Sequence, residues 1–253
     1  MNRIAIISDI HANLPALDAV FEDLDTRHPE VVFCLGDLVD FAPWPNEVID
    51  AIRLRRIPTL MGNHDERIAL DLQVCPLAKH SPEEQAARVQ AIEYTRAEIT
   101  LENRRYLAGL TKQLRISFEG TEILLVHAST RNIDEYVYED HPEDDLQEMF
   151  QSNNADVIVM GHTHLPYVRS IGTGGKFALN AGSVGRSKER SPLASYLMLT
   201  ITGSELYPEI VRVPYCIEDT IRAIRESELP NFYAEFLLAR TDKRLQDSTS
   251  RRT

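Results

Sequence analysis

Five of the eight histidines in this 253-residue chain, His11, His64, His127, His162 and His164, stand at or just beyond the ends of short apolar runs. The stretch Asp156-Val157-Ile158-Val159-Met160-Gly161-His162-Thr163-His164 shows the pattern best. Val157, Ile158 and Val159 are β-branched and unrelieved by polar residues, which predicts a strand buried on both faces. A glycine then turns the backbone into two imidazoles one residue apart. A buried strand has no need of histidines at its end. A divalent transition metal does, because neutral imidazole nitrogen is its commonest protein donor.

Four more segments repeat the arrangement. Residues 4–7 run into Ser8-Asp9-Ile10-His11, residues 31–35 into Gly36-Asp37, residues 58–61 into Gly62-Asn63-His64-Asp65, and residues 123–126 into His127. Each is weak alone; Asp9 by itself reads as a turn residue, and Asn-His-Asp is ordinary turn chemistry. Five in order, each following an apolar run, are not. So many nitrogen and oxygen donors suit two cations rather than one, and Asp37, alone at its strand end, is the natural bridge because a carboxylate has two oxygens. Mixed imidazole and carboxylate donors point to Mn, Fe, Zn or Co rather than to calcium. Two such ions about 3.5–4 Å apart clamp a phosphoryl group and hold a hydroxide between them.

The elements that must position these donors follow from periodicity. Strands are expected at 4–7, 31–35, 58–61, 123–126 and 157–160, then at 167–171, 176–179, 195–201 and 206–213, the last four joined by tight Gly-rich turns. Helices are expected after Asn13 and Asn46 as caps, from Ser81 to about residue 110 with a possible second start at Thr100, around Leu146-Met149-Phe150, and at 217–225 and 232–239. The donors therefore sit on loops at the carboxyl ends of strands, where open α/β sheets place their ligand sites. Trp44 and Cys34 read as packing residues, His80 as structural or exposed, and Asp40 belongs to no recognised pattern.

Composition bounds the rest. Hydrophobic residues make up 43% and charged residues 26%, the balance of a globular chain. No apolar run approaches the roughly 18 residues of a membrane span, and residues 1–9 lack a secretory pattern. Three scattered cysteines form no disulfide or zinc framework, so a cytoplasmic setting is expected. The net charge of −12 disfavours long nucleic acid and anionic membrane unless bound cations reverse the field locally. Residues 1–245 are expected to form one domain, with 246–253 a frayed tail.

Asp9-Ile10-His11, Gly36-Asp37, Gly62-Asn63-His64-Asp65, His127 and Gly161-His162-Thr163-His164 resemble the five signature blocks of the calcineurin-like metallophosphoesterases. Asp-Ile-His-Ala-Asn-Leu-Pro-Ala-Leu, Pro-Asn-Glu-Val-Ile and Asn-Ala-Gly-Ser-Val-Gly resemble the small bacterial phosphodiesterase-like branch. That resemblance implies an α/β fold, a four-layer αββα sandwich of two mixed β-sheets flanked by helices. It implies one metal on Asp9, His11, Asp37 and His164 and another on Asp37, Asn63, His127 and His162, with manganese the expected activating ion and iron or zinc the alternatives. By the same resemblance His64 is catalytic rather than a ligand, protonating the leaving oxygen, with Asp65 orienting its ring. The implied activity is hydrolysis of a phosphodiester or phosphomonoester of a small, nucleotide-like substrate by a metal-bridging hydroxide. Nucleotide pyrophosphatase, protein phosphatase and a non-catalytic metal-binding scaffold are the alternatives. Ala128 and Ala181 stand where that branch often has Gly and Pro, which bears on the substrate lip and not on the donors. Arg131 and Arg186 are candidates to grip the substrate. Lys188 and Arg190 are assigned to solvent, and Tyr136 and Tyr138 either pack or stack on a base.

Overall fold

Alternate side chains of the first strand enter two different cores. Ile4 and Ile6 join one buried cluster, whereas Ala5 and Ile7 join another, as the period of two demands when both faces of a sheet are covered. The computed structural model describes residues 2–76, 80–173, 175–203 and 205–250, with side chains described as far as residue 241. In chain order the elements begin with β1 (Asn2–Ile7), α1 (Leu14–Arg27), β2 (Val31–Cys34), α2 (Pro45–Leu54), α3 (Asn63–Ala69), α4 (Pro82–Glu98), α5 (Leu101–Ala108), β3 (Gln113–Phe118) and β4 (Thr121–Val126). They continue with α6 (Glu143–Asn153), β5 (Val157–Met160), β6 (Tyr167–Ile171), β7 (Lys176–Asn180), β8 (Ala194–Thr202), β9 (Glu205–Val213), α7 (Ile217–Glu226) and α8 (Phe232–Ser250).

The strands form two sheets, ordered β2-β1-β8-β9 and β3-β4-β5-β7-β6. Both are mixed. β1 runs parallel to β2 and antiparallel to β8, and β5 is parallel to both β4 and β7, whereas β3 and β6 pair antiparallel at the edges. Between the sheets lie Ile4, Ile6, Phe33, Leu197 and Leu199 from one and Ile123, Leu125, Val157, Val159 and Leu179 from the other. Leu17, Val20 and Phe21 of α1 and Val48, Ile49 and Ile52 of α2 cover the outer face of the first sheet. Leu146, Met149 and Phe150 of α6 cover the second. The result is the expected four-layer αββα sandwich.

Local chemistry explains where expectation and structure part. Asn13 caps α1 as expected, accepting the Ala16 N–H at 3.3 Å. Asn46 does not cap α2, which starts at Pro45 after Trp44. Its side chain instead accepts the Thr100 N–H at 2.9 Å and donates to the Glu98 carbonyl at 2.9 Å, tying α2 to the α4–α5 corner. Residues 58–61 make only single bridges, Cys34 with Thr59 and Leu60 with Thr111, rather than a strand. β3 was not anticipated, and neither was α3, which begins on Asn63 itself. α8 runs on to Ser250, so the tail expected to fray from 246 stays helical that far. Residues 251–253, Gly174 and Ser204 lie outside the described residues.

Candidate metal centre

The carboxyl ends of β1, β2, β4 and β5 meet at one edge, and each delivers its donors with one side already engaged. Asp9 Oδ2 accepts the Ser8 hydroxyl at 2.6 Å and the His162 N–H at 2.9 Å. Asp37 Oδ1 accepts the His64 N–H at 2.8 Å. The other oxygens, Asp9 Oδ1 and Asp37 Oδ2, are buried with no hydrogen-bond partner. The imidazoles follow the same rule. Nδ1 of His11, His127 and His164 lies 3.1, 2.9 and 2.7 Å from the carbonyls of Val39, Leu35 and Arg186. A carbonyl only accepts, so Nδ1 carries the proton and Nε2 turns inward. His162 is reversed: its Nδ1 lies 3.1 Å from Asn63 Oδ1, and its Nε2 is buried without a partner.

The inward atoms crowd together. His11 Nε2 is 3.2 Å from His164 Nε2, which is 3.2 Å from Asp9 Oδ1. Asp37 Oδ2 is 3.7 Å from His11 Nε2 and 3.4 Å from His127 Nε2, and the latter is 3.1 Å from Asn63 Oδ1. Bonds of about 2.1 Å to a common ion put donors about 3.0 Å apart in an octahedron and about 3.4 Å apart in a tetrahedron. The donor spacing therefore fits coordination polyhedra. Among the described residues, three groups at this edge bring donor atoms close enough for a common ion: Asp9–His11–His164, Asp37–His127–His162 and His11–Asp37–His64. Asp37 Oδ2 faces both sides, whereas Oδ1 accepts the His64 N–H.

Charge follows geometry. Burial, and then the proximity of His164, pushes His11 well below its ordinary range. Burial, then Lys188 and Arg186, does the same to His164, and burial with His127 takes His162 down to about 3. These rings are neutral and ready to donate lone pairs. In His127 burial is outweighed by the Asp37 carboxylate, and its pKa rises to about 10. Asp37 in turn is held well below the carboxylate range, against its burial, by His127 and His64.

Aiming the donors strains the backbone. Asp9, His11, Asp37, His162 and His164 have φ of 54°, 51°, 57°, 62° and 62°, a region costing non-glycine residues about 1–3 kcal/mol each. Gly62 and Gly161 allow the close approach: an added Cβ would lie 2.2 Å from Asp37 Oδ1 at Gly62 and 2.6 Å from Asp9 Oδ2 at Gly161.

His64 stands beside the cage, its ring edge-on to His11 at 5.0 Å. Its partner is not Asp65. Nδ1 of His64 lies 2.6 Å from Asp40 Oδ2, whereas Asp65 accepts the N–H groups of Asp37 (2.7 Å), Leu38 (2.9 Å) and Gly62 (3.0 Å). With its acceptors directed at the backbone, Asp65 stitches the Asp37 turn to α3. Burial and then the charge of Asp37 raise it to about 7.

The cage opens into a cleft of about 510 Å³, whose lining includes His64, Arg67, Arg88, Tyr136, Arg186 and Lys188. Arg186 lies over the rings of Phe41, Tyr233 and Phe236 at 5.0–5.4 Å, with its Nε buried and unpartnered. Arg131 is elsewhere: its guanidinium binds Glu135 on its own loop and Asp145 in the first turn of α6, and does not line the cleft. Lys188, assigned to solvent from the sequence, lines the cleft, and Tyr136 lies 4.1 Å from the His162 ring. Asp40 is the site residue that sequence reasoning missed; nothing in its spacing relates it to His64.

Residues 2–204 match the calcineurin-like phosphoesterase superfamily domain. An uncharacterized protein of Methanocaldococcus jannaschii is 32% identical over 93% of this chain and 97% of its own. A metallophosphoesterase from Sphaerobacter thermophilus superposes with a TM-score of 0.75 at 29% identity, over 94% of this chain and 99% of that one. A hypothetical protein of Pyrococcus horikoshii shares the fold at a TM-score of 0.79 and 21% identity, over 94% and 98%. With the block pattern, the two-sheet sandwich and the match over most of its length, the chain belongs to the calcineurin-like phosphoesterase superfamily.

Proposed function

We propose that the protein is a dinuclear metal-dependent hydrolase of phosphate esters of a small, nucleotide-like substrate. The observation that carries the reading is Asp37 Oδ2, an orphaned buried carboxylate oxygen facing two separate donor groups. Asp9, His11, Asp37 and His164 would hold one dication and Asp37, Asn63, His127 and His162 the other, with manganese favoured and iron or zinc also suited to these donors. Two such ions supply a nucleophile from water near neutral pH and neutralise charge on the phosphoryl oxygens. His64, fixed through Nδ1 by Asp40, turns its Nε2 to the cleft and protonates the leaving oxygen as the ester bond breaks. Tyr136 over His162 narrows the mouth and limits water. A cleft of about 510 Å³ suits a substrate of nucleotide size, and the net charge of −12 disfavours a long nucleic acid. The free thiols of Cys34, Cys75 and Cys216 fit a reducing, cytoplasmic setting; among the described residues no helix is long and apolar enough to cross a membrane.

The test is metal removal and reloading. Purified protein stripped with a chelator is reloaded with Mn²⁺, analysed for metal, and assayed on a nitrophenyl phosphodiester and a nitrophenyl monoester. Two equivalents of metal per chain with metal-dependent turnover are expected. A single equivalent contradicts the dinuclear site, and turnover of neither ester with any of Mn, Fe or Zn favours a binding scaffold.

A further inference from the structure

The metal cage occupies only one end of the cleft. The wall beyond His64 is built by two arginines that nothing in the reaction above employs. We propose that Arg67 and Arg88, with Arg186 on the same cleft, form a second anion subsite, so that the substrate is a phosphoester carrying a further phosphate that is not cleaved. The proposal rests on the phosphoesterase reading.

Arg67 lies on α3 three residues after His64, hence on the same helical face, and Arg88 comes from α4. They are only 8% and 9% exposed, and both line the cleft. Buried arginines are normally paired. Nη1 of Arg67 is buried with no hydrogen-bond partner, and Arg88 Nη1 donates to a neutral carbonyl, that of Cys75, at 2.7 Å. The carboxylates near them have other partners: Asp40 Oδ2 pairs with His64 at 2.6 Å, Glu66 with Lys112 at 2.5 Å and Glu84 with His80 at 3.5 Å, and Asp40 Oδ1, though buried, makes no hydrogen bond to either arginine. Asp134 is exposed at the rim. The two guanidinium groups repel; burial and then Arg67 pull the Arg88 pKa down. Two buried cations without a direct ion pair, with Asp40 and Asp134 acting on Arg88 only through space, and opening onto a cleft, are what a phosphate dianion relieves, because the planar guanidinium presents paired N–H donors to its oxygens. Arg186, braced over three aromatic rings with an unpartnered Nε, adds a third donor on that cleft. The class of substrate is then a nucleoside polyphosphate or bisphosphate, or a sugar bisphosphate, which share this chemistry.

The experiment uses the Mn²⁺-loaded full-length protein. The wild type and Arg67→Gln are compared on nitrophenyl phosphate, which has one phosphate, and on adenosine 3′,5′-bisphosphate, ADP and fructose 1,6-bisphosphate, which have two. In Arg67→Gln the KM for a two-phosphate substrate should rise at least tenfold more than that for nitrophenyl phosphate, and Arg67→Lys should recover part of the difference. Equal changes for both kinds of substrate overturn the subsite. The relative KM values of the three two-phosphate compounds identify the carrier. Should Arg67→Gln not fold, Arg88→Gln is read in the same way. In the wild type, pyrophosphate should also inhibit at least tenfold more tightly than inorganic phosphate, and equal inhibition overturns the proposal. If no ester is turned over, the phosphoesterase reading fails by itself. Calorimetric binding of pyrophosphate still decides the subsite: weaker binding in Arg67→Gln or Arg88→Gln supports it, and unchanged binding in both removes it.

Discussion

Two clusters of histidine and carboxylate stand among the described residues, and they differ in what their atoms are left to do. One is the cage at the strand edge. The other is Glu135, His141 and Asp145, whose donor atoms also lie within 4.8 Å of one another. In the surface cluster every charge has a partner: Arg131 grips both carboxylates, His141 pairs with Asp145, and Ser129 donates to Glu135. Hydrogen bonds from Arg131, then from His141, hold Asp145 well below the carboxylate range. A guanidinium already does there what a metal would do. In the cage most outer atoms, His162 Nε2 excepted, are pinned by backbone carbonyls and N–H groups, the inward carboxylate oxygens Asp9 Oδ1 and Asp37 Oδ2 have no hydrogen-bond partner, and the backbone is forced to positive φ. Residue type and proximity do not distinguish the two. Unspent lone pairs facing one point do.

Removing the shared atom is the severest way to break that contrast. Asp37→Ala should empty both halves of the cage and abolish metal-dependent turnover, by at least about 10³-fold given the worth of a dinuclear centre; a variant that keeps two equivalents of metal by elemental analysis contradicts the bridge. His64→Ala should retain both metals and lose about 10²–10⁴-fold in kcat, the usual worth of a general acid, and equal loss of metal would contradict its role. Asp40→Asn, which leaves the cage intact and releases the His64 ring, should cost about 10–100-fold, the scale on which orienting partners act. The loss should fall on kcat, with KM little changed. A fall in KM-dependent binding alone would show that Asp40 serves the cleft instead.

What the sequence made legible divides along the same line. Asp9, His11, Asp37, Asn63, His64, His127, His162 and His164 could be picked out because each follows a run that has to be a buried strand, or nearly so; that His64 differs in role from the others came only from the family resemblance. Local pattern there carries tertiary information, since strand ends converge at one edge of a sandwich. Asp40 carried no such signal. It reaches His64 only because the chain reverses through φ of 68° at Asp40 and 85° at Phe41, which no pattern of polarity announces. Asp65 was paired with His64 through the family resemblance, yet on a helix adjacent side chains diverge, and Asp65 instead closes the first turn of α3. Arg67 carried no signal in the sequence at all, because its burial depends on tertiary packing of α3 against α4. β3 was legible in principle: Leu114, Ile116 and Phe118 alternate, but its exposed and half-buried faces lack the solid apolar run that marks the inner strands.

A smaller effect tests the protonation of the empty cage. Asp37 raises His127 to about 10, so between pH 7 and 9 the metal-free ring is charged and a metal must displace its proton. Calorimetric titration with Mn²⁺ in buffers of different ionisation enthalpy should show about one proton released at pH 8, declining toward none above pH 10. Independence of the buffer at pH 8 would mean that His127 is already neutral. The sign carries over to stability. A raised folded pKa stabilises below the unfolded value near 6.5 and loses that contribution as pH rises through about 10. Metal-free protein should therefore weaken over that range, and metal-loaded protein, whose His127 is neutral with Nε2 deprotonated, should not weaken by this route.

The smallest effect belongs to the surface cluster. His141 is 17% exposed at its side chain and pairs with an Asp145 that Arg131 already neutralises. His141→Ala should therefore change stability by only about 1 kcal/mol, the scale of partly solvated ion pairs. Metal stoichiometry and turnover should stay as in the wild type, since no atom of this cluster reaches the cleft. The measurement that decides is elemental analysis of both proteins after equilibration with excess Mn²⁺. A third equivalent in the wild type that His141→Ala loses would mean that Arg131 swings away to admit an ion, and that pairing inside a cluster does not disqualify it as a metal site.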